Sequence, residues 1–194
     1  MEESNQEAGT VSLEATLSLQ NGTLTAEYRI KNRSRVPIYV FNRLWEFGTD
    51  GKYAPAPQPA YILLGEKGEL HLVKGIPAVP KSKRVELKIV PFATKVEAGE
   101  ELSEKFELRE PISEYNPYFP MDKPDTTELR KTESAYLSID YVAETEDLEV
   151  KPAALENGLS IWHPALAEKV RRLSSQPRAS IISVMRRSDS FERF

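Results

Sequence analysis

The stretch LEATLSLQNGTLTAEYRI, residues 13 to 30, constrains this chain more than any other. Asn21-Gly22 is the favoured dipeptide of a two-residue hairpin loop, because both central positions of that turn need positive φ. A two-residue loop pairs Gln20 with Thr23 and then Leu19 with Leu24. Continuing outward it pairs Leu17 with Ala26, Ala15 with Tyr28 and Leu13 with Ile30. These pairs are apolar and share one face. A slip of one residue would turn all of them to water, so the register is well specified.

The same alternation recurs downstream. VPIYVFNRL (36–44) follows the polar turn Asn32 to Arg35, and Pro37 places its start at a strand beginning or a sheet edge. YILLGEKGELHLV reads as a second hairpin turning around Glu66 to Gly68. RVELKIV (84–90) places Val85, Leu87 and Ile89 inward, and EELSEKFEL (100–108) places Leu102, Phe106 and Leu108 on one face. AYLSIDYV (135–142) puts Ala135, Leu137, Ile139 and Tyr141 on a single side. Such half-buried alternation belongs to antiparallel sheets with one wet face. HPALAEKVRRLSS (163–175) fits a helix through Leu166, Val170 and Leu173, with Pro164 as first helical residue. A strand over KVRRLSS is favoured instead, because the 135–142 segment needs a partner. Seven or more strands punctuated by 14 prolines predict an all-β fold: an immunoglobulin-like antiparallel β-sandwich with long proline-rich loops. The expected organisation is a flexible N-terminus (1–10), a single sandwich domain (11–175) and a basic C-terminal tail (176–194).

KNRSRVPIYVFN, and VEAGEEL ahead of a strand, resemble bacterial immunoglobulin-like sandwich domains. In that group an N-x-S-x-x-P-I turn separates the second and third strands and an x-G-E turn introduces a later one. The intracellular proteinase-inhibitor-like domains are similar in general layout. The resemblance spans the middle half of the chain and rests on turn chemistry. It implies a fold and assigns no functional residue.

Charge narrows the partners. The net charge is −4, unevenly spread. From Pro164 onward seven basic residues face three acidic ones, a balance of +4, so the remainder carries −8. An acidic body argues against a nucleic-acid-binding core, since phosphate contacts need a basic face. The absence of cysteine excludes disulfides, thiol catalysis and thiolate metal sites. MEESNQEAGTVSLEA has neither the basic nor the apolar region of a secretory leader, and no stretch approaches the roughly 20 apolar residues of a membrane span. The reading is cytoplasmic.

No catalytic constellation emerges. The two histidines, His71 and His163, fall short of a zinc ligand set. His71 alternates with Leu70 and Leu72 and reads as solvent-facing. His163 lacks a nucleophile and an orienting acid at any informative spacing. Asp122, Asp125 and Glu128 invite a calcium reading, but the EF-hand spacing and its glycine are absent, and a solvated loop is the better account. The nine glycines form no phosphate-cradling loop. No cofactor and no metal are therefore expected. Pro55, Pro57 and Pro59 make a short polyproline II spacer, and NGT and NRS read as turns. In the tail, Arg171 ahead of Ser174, and Arg186-Arg187 ahead of Ser188 and Ser190, resemble basophilic kinase substrates. That tail is either a frayed end or a segment whose Ile181, Ile182, Val184 and Met185 dock onto a sheet edge.

One loop stands out. EYNPYFPMDKP (114–124) packs two tyrosines, a phenylalanine and three prolines where no regular period runs. It is either a plug over an open end of the sandwich or a contact surface. The favoured function is a non-enzymatic domain binding protein or peptide, with Tyr115, Tyr118, Phe119 and Trp162 as candidate binding residues. The alternatives are a carbohydrate-binding module that stacks sugars on those four aromatics, and an inhibitor or structural subunit with its acidic body against a basic partner. The sequence leaves the oligomeric state open.

Overall fold

The computed structural model describes residues 10–47, 53–65, 67–81, 84–85, 88–119, 127–154, 160–165 and 170–187. All regular structure among them is β, with no helix. The first hairpin forms in the predicted register: β1 (Val11–Gln20) pairs with β2 (Thr23–Asn32), joining Leu19 to Leu24, Leu17 to Ala26, Ala15 to Tyr28 and Leu13 to Ile30. Asn21 and Gly22 take φ of 50° and 73°, the left-handed values the turn demands.

Thirteen further strands follow among the described residues. They are β3 (Ile38–Arg43), β4 (Trp45–Phe47), β5 (Tyr53–Pro55), β6 (Tyr61–Leu64), β7 (Leu70–Lys74) and β8 (Phe92–Val96). After these come β9 (Glu101–Arg109), β10 (Ile112–Ser113) and the 17-residue β11 (Thr127–Ala143). The last four are β12 (Val150–Ala154), β13 (Ser160–Pro164), β14 (Arg171–Ser174) and β15 (Arg178–Arg187). β1, β2 and β9 form a three-stranded antiparallel sheet, and β4 with β5 a small ribbon. The remaining strands build a large mixed sheet along the path β10-β15-β11-β3-β8-β13-β12, with β14 and β7 also on β11 and β6 on β7. Two pairings are parallel, β11 with β7 and β10 with β15.

One core joins the two sheets. Leu24, Ile30, Phe106 and Leu108 of the three-stranded sheet pack with Ile38, Val40, Leu72, Leu137, Ile139 and Ile182 of the large one. Each such side chain stabilises the fold by roughly 1.5–3 kcal/mol when fully buried. A second, smaller cluster of Tyr39, Phe41, Val90, Ala93 and Val142 covers the opposite face of β3 and β11. The large sheet is therefore buried on both faces there, and β3 reads as a continuous apolar run rather than an alternation.

The two turn motifs behind the resemblance are tied to each other. Asn32, fully buried, donates through Nδ2 to the carbonyls of Val36, Val96 and Glu97 at 2.9–3.1 Å. Its Oδ1 accepts from Ser34 N at 3.0 Å and Ser34 Oγ at 2.6 Å. Its backbone meets Gly99 N and Glu100 O at 2.8 and 2.9 Å. One asparagine thus clamps the β2–β3 turn to the β8–β9 turn.

The sheet also closes on itself. Ile62 and Tyr115 exchange backbone hydrogen bonds of 2.8 Å, linking β6 to the residue that follows β10. The ring β6-β7-β11-β15-β10 thereby returns to β6. Glu114, buried in this seam, accepts from Leu64 N at 3.3 Å and Arg187 N at 2.6 Å.

Several expectations are corrected. The 84–90 segment carries no strand among its described residues: Val85 is exposed, and Ile89 N donates to the Tyr118 hydroxyl at 3.0 Å instead of to a neighbouring strand. Alternation makes a strand only where an edge is there to pair with it. Between 163 and 175 the described residues contain strand β14, not a helix, and it pairs with 138–141 of β11 as the favoured reading required. Residues 178–187 are no frayed end; β15 pairs with β11 and buries Ile182 and Val184, while Ile181 stays exposed. Residues 1–9, Glu66, Leu87, Asp122, Asp125, Leu166, Ser188 and Ser190 lie outside the described residues.

Candidate functional site

The four aromatics singled out from sequence do not assemble. Tyr115 and Phe119 are buried in the main core, Tyr115 with its ring 5.7 Å from that of Tyr61. Burial raises the Tyr115 hydroxyl to about 12. Tyr118 is half-buried, and the loop is held by the buried Asn116, whose Oδ1 accepts from Tyr118 N at 3.0 Å. Residues 114–119 are thus an inward-facing plug. Trp162 sits elsewhere, edge-on to Tyr39 at 6.0 Å in the second cluster. A stacking platform made of Tyr115, Tyr118, Phe119 and Trp162 does not exist, because three of them serve the main core and the fourth the opposite face.

What the fold does assemble is a charged cluster between the sheets. In β9 the inward positions are 102, 104, 106 and 108, so Glu104 lies among apolar neighbours, directly across from Tyr28. In β7 the inward series Leu70, Leu72 ends at Lys74, and in β3 the series Ile38, Val40 ends at Asn42. The Tyr28 hydroxyl donates to Glu104 Oε2 in a short hydrogen bond. Arg43 Nη2 lies 2.6 Å from Glu104 Oε1, and Lys74 Nζ lies 3.6 Å from Oε2. Lys74 also donates to the Asn42 carbonyl at 3.3 Å and stands over the rings of Phe106 and Tyr28 at 5.2 and 5.7 Å. The lysine side chain is 7% exposed and the glutamate 15%. Burial pulls the Lys74 ammonium below the ordinary lysine range, against the opposing attraction of Glu104. Burial, reinforced by the Glu104 carboxylate, pushes the Tyr28 hydroxyl up.

This cluster borders a groove of 460 Å³. Trp45, Pro55, Pro59 and Phe92 supply apolar lining, and Arg43, Lys74 and Glu104 supply charge. The aromatic wall is rigid: Trp45 meets Tyr53 and Phe92 at 4.7 and 6.1 Å, and its Nε1 donates to Val90 O at 2.7 Å. The segment read as a polyproline spacer is the rim of this groove. Two donors on its lining residues are unspent. Arg43 Nε is buried without a hydrogen-bond partner, and the Asn42 amide, next to the Tyr28 hydroxyl, makes no sound hydrogen bond through Nδ2. Buried donors without acceptors cost roughly 1–3 kcal/mol each, so they favour a ligand that brings acceptors. On the other side of Glu104 a wider groove of 840 Å³ separates the three-stranded sheet from the β14–β15 connection.

No family model matches this chain, and no curated protein or solved structure matches it either.

The histidines behave differently from expectation. His71 is not solvent-facing. Its ring stacks on Tyr136 at 4.2 Å, and Nε2 lies 2.8 Å from Ser138 Oγ, which lies 2.7 Å from Ser174 Oγ. Burial lowers its pKa to about 4, with a smaller contribution from Arg172. An imidazole with so low a pKa is a weak base at neutral pH, so this chain of three polar groups ties β7, β11 and β14 together. Beside it Asp140, buried, takes both Nε and Nη2 of Arg172 at 2.7 and 2.8 Å and the Ile76 amide at 2.8 Å. His163 packs against Phe92 at 5.6 Å. Among the described residues no cluster of three His, Asp or Glu side chains suits a metal, and no helix is long and apolar enough to cross a membrane.

Proposed function

We propose that the chain is a non-enzymatic, immunoglobulin-like domain that binds an extended peptide in the groove between the Trp45–Phe92 wall and the Arg43–Lys74–Glu104 cluster. The observation that carries this reading is the pair of unspent donors, Asn42 Nδ2 and Arg43 Nε, on residues lining a groove with aromatic and proline walls. A peptide supplies what that lining lacks. Its backbone carbonyls or an acidic side chain would accept from Asn42 and Arg43, and flanking apolar side chains would pack on Trp45 and Phe92. With Arg43 and Lys74 against Glu104, the cluster favours a peptide bearing one carboxylate near its centre.

Selection from a displayed peptide library tests this. Enriched peptides should carry Asp or Glu between apolar residues, and should bind Q58W, which fills the groove, and R43M at least ten times more weakly. Enriched peptides that bind both variants as well as the wild type would overturn the proposal, and so would a selection that enriches nothing.

A further inference from the structure

Strand β14 carries a pattern that the peptide groove does not use. Its sequence, Arg171-Arg172-Leu173-Ser174, sets two arginines three and two residues ahead of a serine. Among the described residues this four-residue strand pairs with β11 alone. Leu173 packs on the main core, so its neighbours Arg172 and Ser174 point to the other face, and both residues are exposed. Exposure continues from Gln176 through Ala179, and Ser174, Ser175 and Gln176 line the 840 Å³ groove. A short strand with one partner, continued by exposed chain, is the kind of element that opens locally at low cost. It is already extended, and can be presented to an enzyme cleft without refolding.

The face on which Ser174 stands holds groups that suit a phosphate. Across the ladder Ser174 meets Ser138 and Arg172 meets Asp140. The Ser174 hydroxyl lies 2.7 Å from that of Ser138, which lies 2.8 Å from His71 Nε2. Arg172 stands one place along the same face, its guanidinium forked on Asp140 yet its side chain 43% exposed. A phosphoserine carries a charge of about −1.5 to −2 and three strong acceptor oxygens, and a guanidinium meets such oxygens in pairs. Around His71, Arg172 is the cation, Asp140 the carboxylate that binds it, and Tyr136, itself acted on by Glu69, the ring stacked on the imidazole. A phosphate beside Ser138 would draw Arg172 away from Asp140 and favour the charged imidazole.

We propose that Ser174 is a phosphorylation site for a basophilic serine kinase using ATP, and that the phosphate rests between Arg172 and the Ser138–His71 pair. Ser174 Oγ attacks the γ-phosphorus of ATP, the bond from that phosphorus to the β,γ-bridging oxygen breaks, ADP leaves, and the hydroxyl proton passes to the catalytic base of the kinase. Arginine serves twice. Before transfer Arg171 and Arg172 mark the site for the acidic cleft of the kinase, and afterwards Arg172 holds the product. The kinase competes with Asp140 for Arg172, so transfer to the folded chain is slower than to a free peptide. β14 shares no residue with the lining of the peptide groove, so either proposal stands if the other fails.

The catalytic subunit of cyclic-AMP-dependent kinase with magnesium ATP tests it on the full chain, held well below its melting temperature, with mass spectrometry to place the phosphate. The wild type should take up phosphate at Ser174, and S174A should take up at least ten times less. A synthetic peptide of residues 170–178 should be phosphorylated faster than the folded chain, and at least ten times more slowly when it carries R172Q. Imidazole proton resonances then read where the phosphate rests. The chain has two histidines, and H163Q assigns their resonances. Phosphorylation should move the His71 titration up by about one pH unit or more. A folded chain left unmodified while the peptide is modified would overturn the proposal. So would phosphate on another serine in place of Ser174, a peptide indifferent to R172Q, or an unmoved His71 titration.

Discussion

Substituting Glu104 by glutamine breaks the interlayer cluster at its centre. The carboxylate faces Arg43 at 2.6 Å and Lys74 at 3.6 Å, and accepts from the Tyr28 hydroxyl. Removing one partner of a buried ion pair costs about 3–5 kcal/mol, because the remaining charge is stranded. Two features place E104Q at the lower end. Glutamine keeps a carbonyl for the Tyr28 hydroxyl, and Arg43, 30% exposed, is already partly hydrated. The stranded group is Lys74. The expected loss is about 3 kcal/mol, equivalent to a fall of about 6–12 °C in Tm for a chain of this size. The deficit should also depend on pH. Lys74 already sits below the lysine value of 10.5 in the folded state, so the unfolded chain binds more protons in that interval and stability rises with pH through it. Losing Glu104 depresses the folded pKa further and extends the interval toward neutrality, so the E104Q deficit should shrink between pH 7 and 9.5. Above about 10 the buried Tyr28 and Tyr61, whose hydroxyls are pushed up by burial, oppose this trend. Urea unfolding followed by tryptophan fluorescence at pH 7, 8 and 9.5 measures all of it. In K74M/E104M the buried ammonium is gone and the partly exposed Arg43 can turn to water, leaving only the Tyr28 hydroxyl without its acceptor, so stability should return to within about 1–2 kcal/mol of the wild type. An E104Q loss below about 0.5 kcal/mol with no pH trend, or a double variant no better than E104Q, would refute the reasoning.

Two further outcomes concern the clamps on the fold. N32A removes the side chain that joins two turns and leaves buried carbonyls without donors, so it should cost about 3 kcal/mol and speed amide exchange at Ser34 and Gly99 together; faster exchange at Ser34 alone would disprove the clamp. The His71 imidazole, neutral in the fold with a pKa of about 4, contributes stability that is fully present above its unfolded value of 6.5. That contribution is lost as pH falls from 6.5 to about 4, so H71Q should flatten the acid limb of the stability profile. Superimposable wild-type and H71Q profiles would show that His71 is not held in its neutral form.

Much of the fold is legible in local pattern, and the exceptions share a cause. Asn21-Gly22 specifies its own register because turn geometry and a one-sided apolar face agree. The hairpin at 61–74 also forms, pairing Leu64 with Leu70, though β6 is buried on both faces. Alternation alone misleads in β11, where the supposedly wet positions Ser138, Asp140 and Val142 are buried as deeply as Leu137 and Ile139. Their partners lie far along the chain: Ser174 for Ser138, Arg172 for Asp140, the second cluster for Val142. A polar residue tolerates burial when a distant residue satisfies it, and no local period reports that. The 84–90 segment fails in the reverse sense, with the right alternation and no paired edge among its described residues. The ring closes through a backbone bridge between Ile62 and Tyr115, two positions with no sequence signature of pairing, with Glu114 beside it.

The candidate site was hidden for a related reason, yet it left a trace. In EELSEKFEL the period that selects Leu102, Phe106 and Leu108 also selects Glu104. Lys74 likewise ends the series Leu70, Leu72, and Asn42 the series Ile38, Val40. Three strands each place a polar residue at an apolar position, which costs desolvation unless those residues meet. Lys74 and Glu104 do meet, and Lys74 reaches the backbone carbonyl of Asn42, so breaks in period on separate strands carry information jointly that none carries singly. Two roles fit such a cluster: fixing the register of one sheet on the other, or holding a ligand in the groove beside it. K74M/E104M separates them. If the cluster acts in registration alone, the double variant still folds and keeps its peptide binding. If the cluster is the charged lining the ligand needs, the double variant still folds while binding is lost.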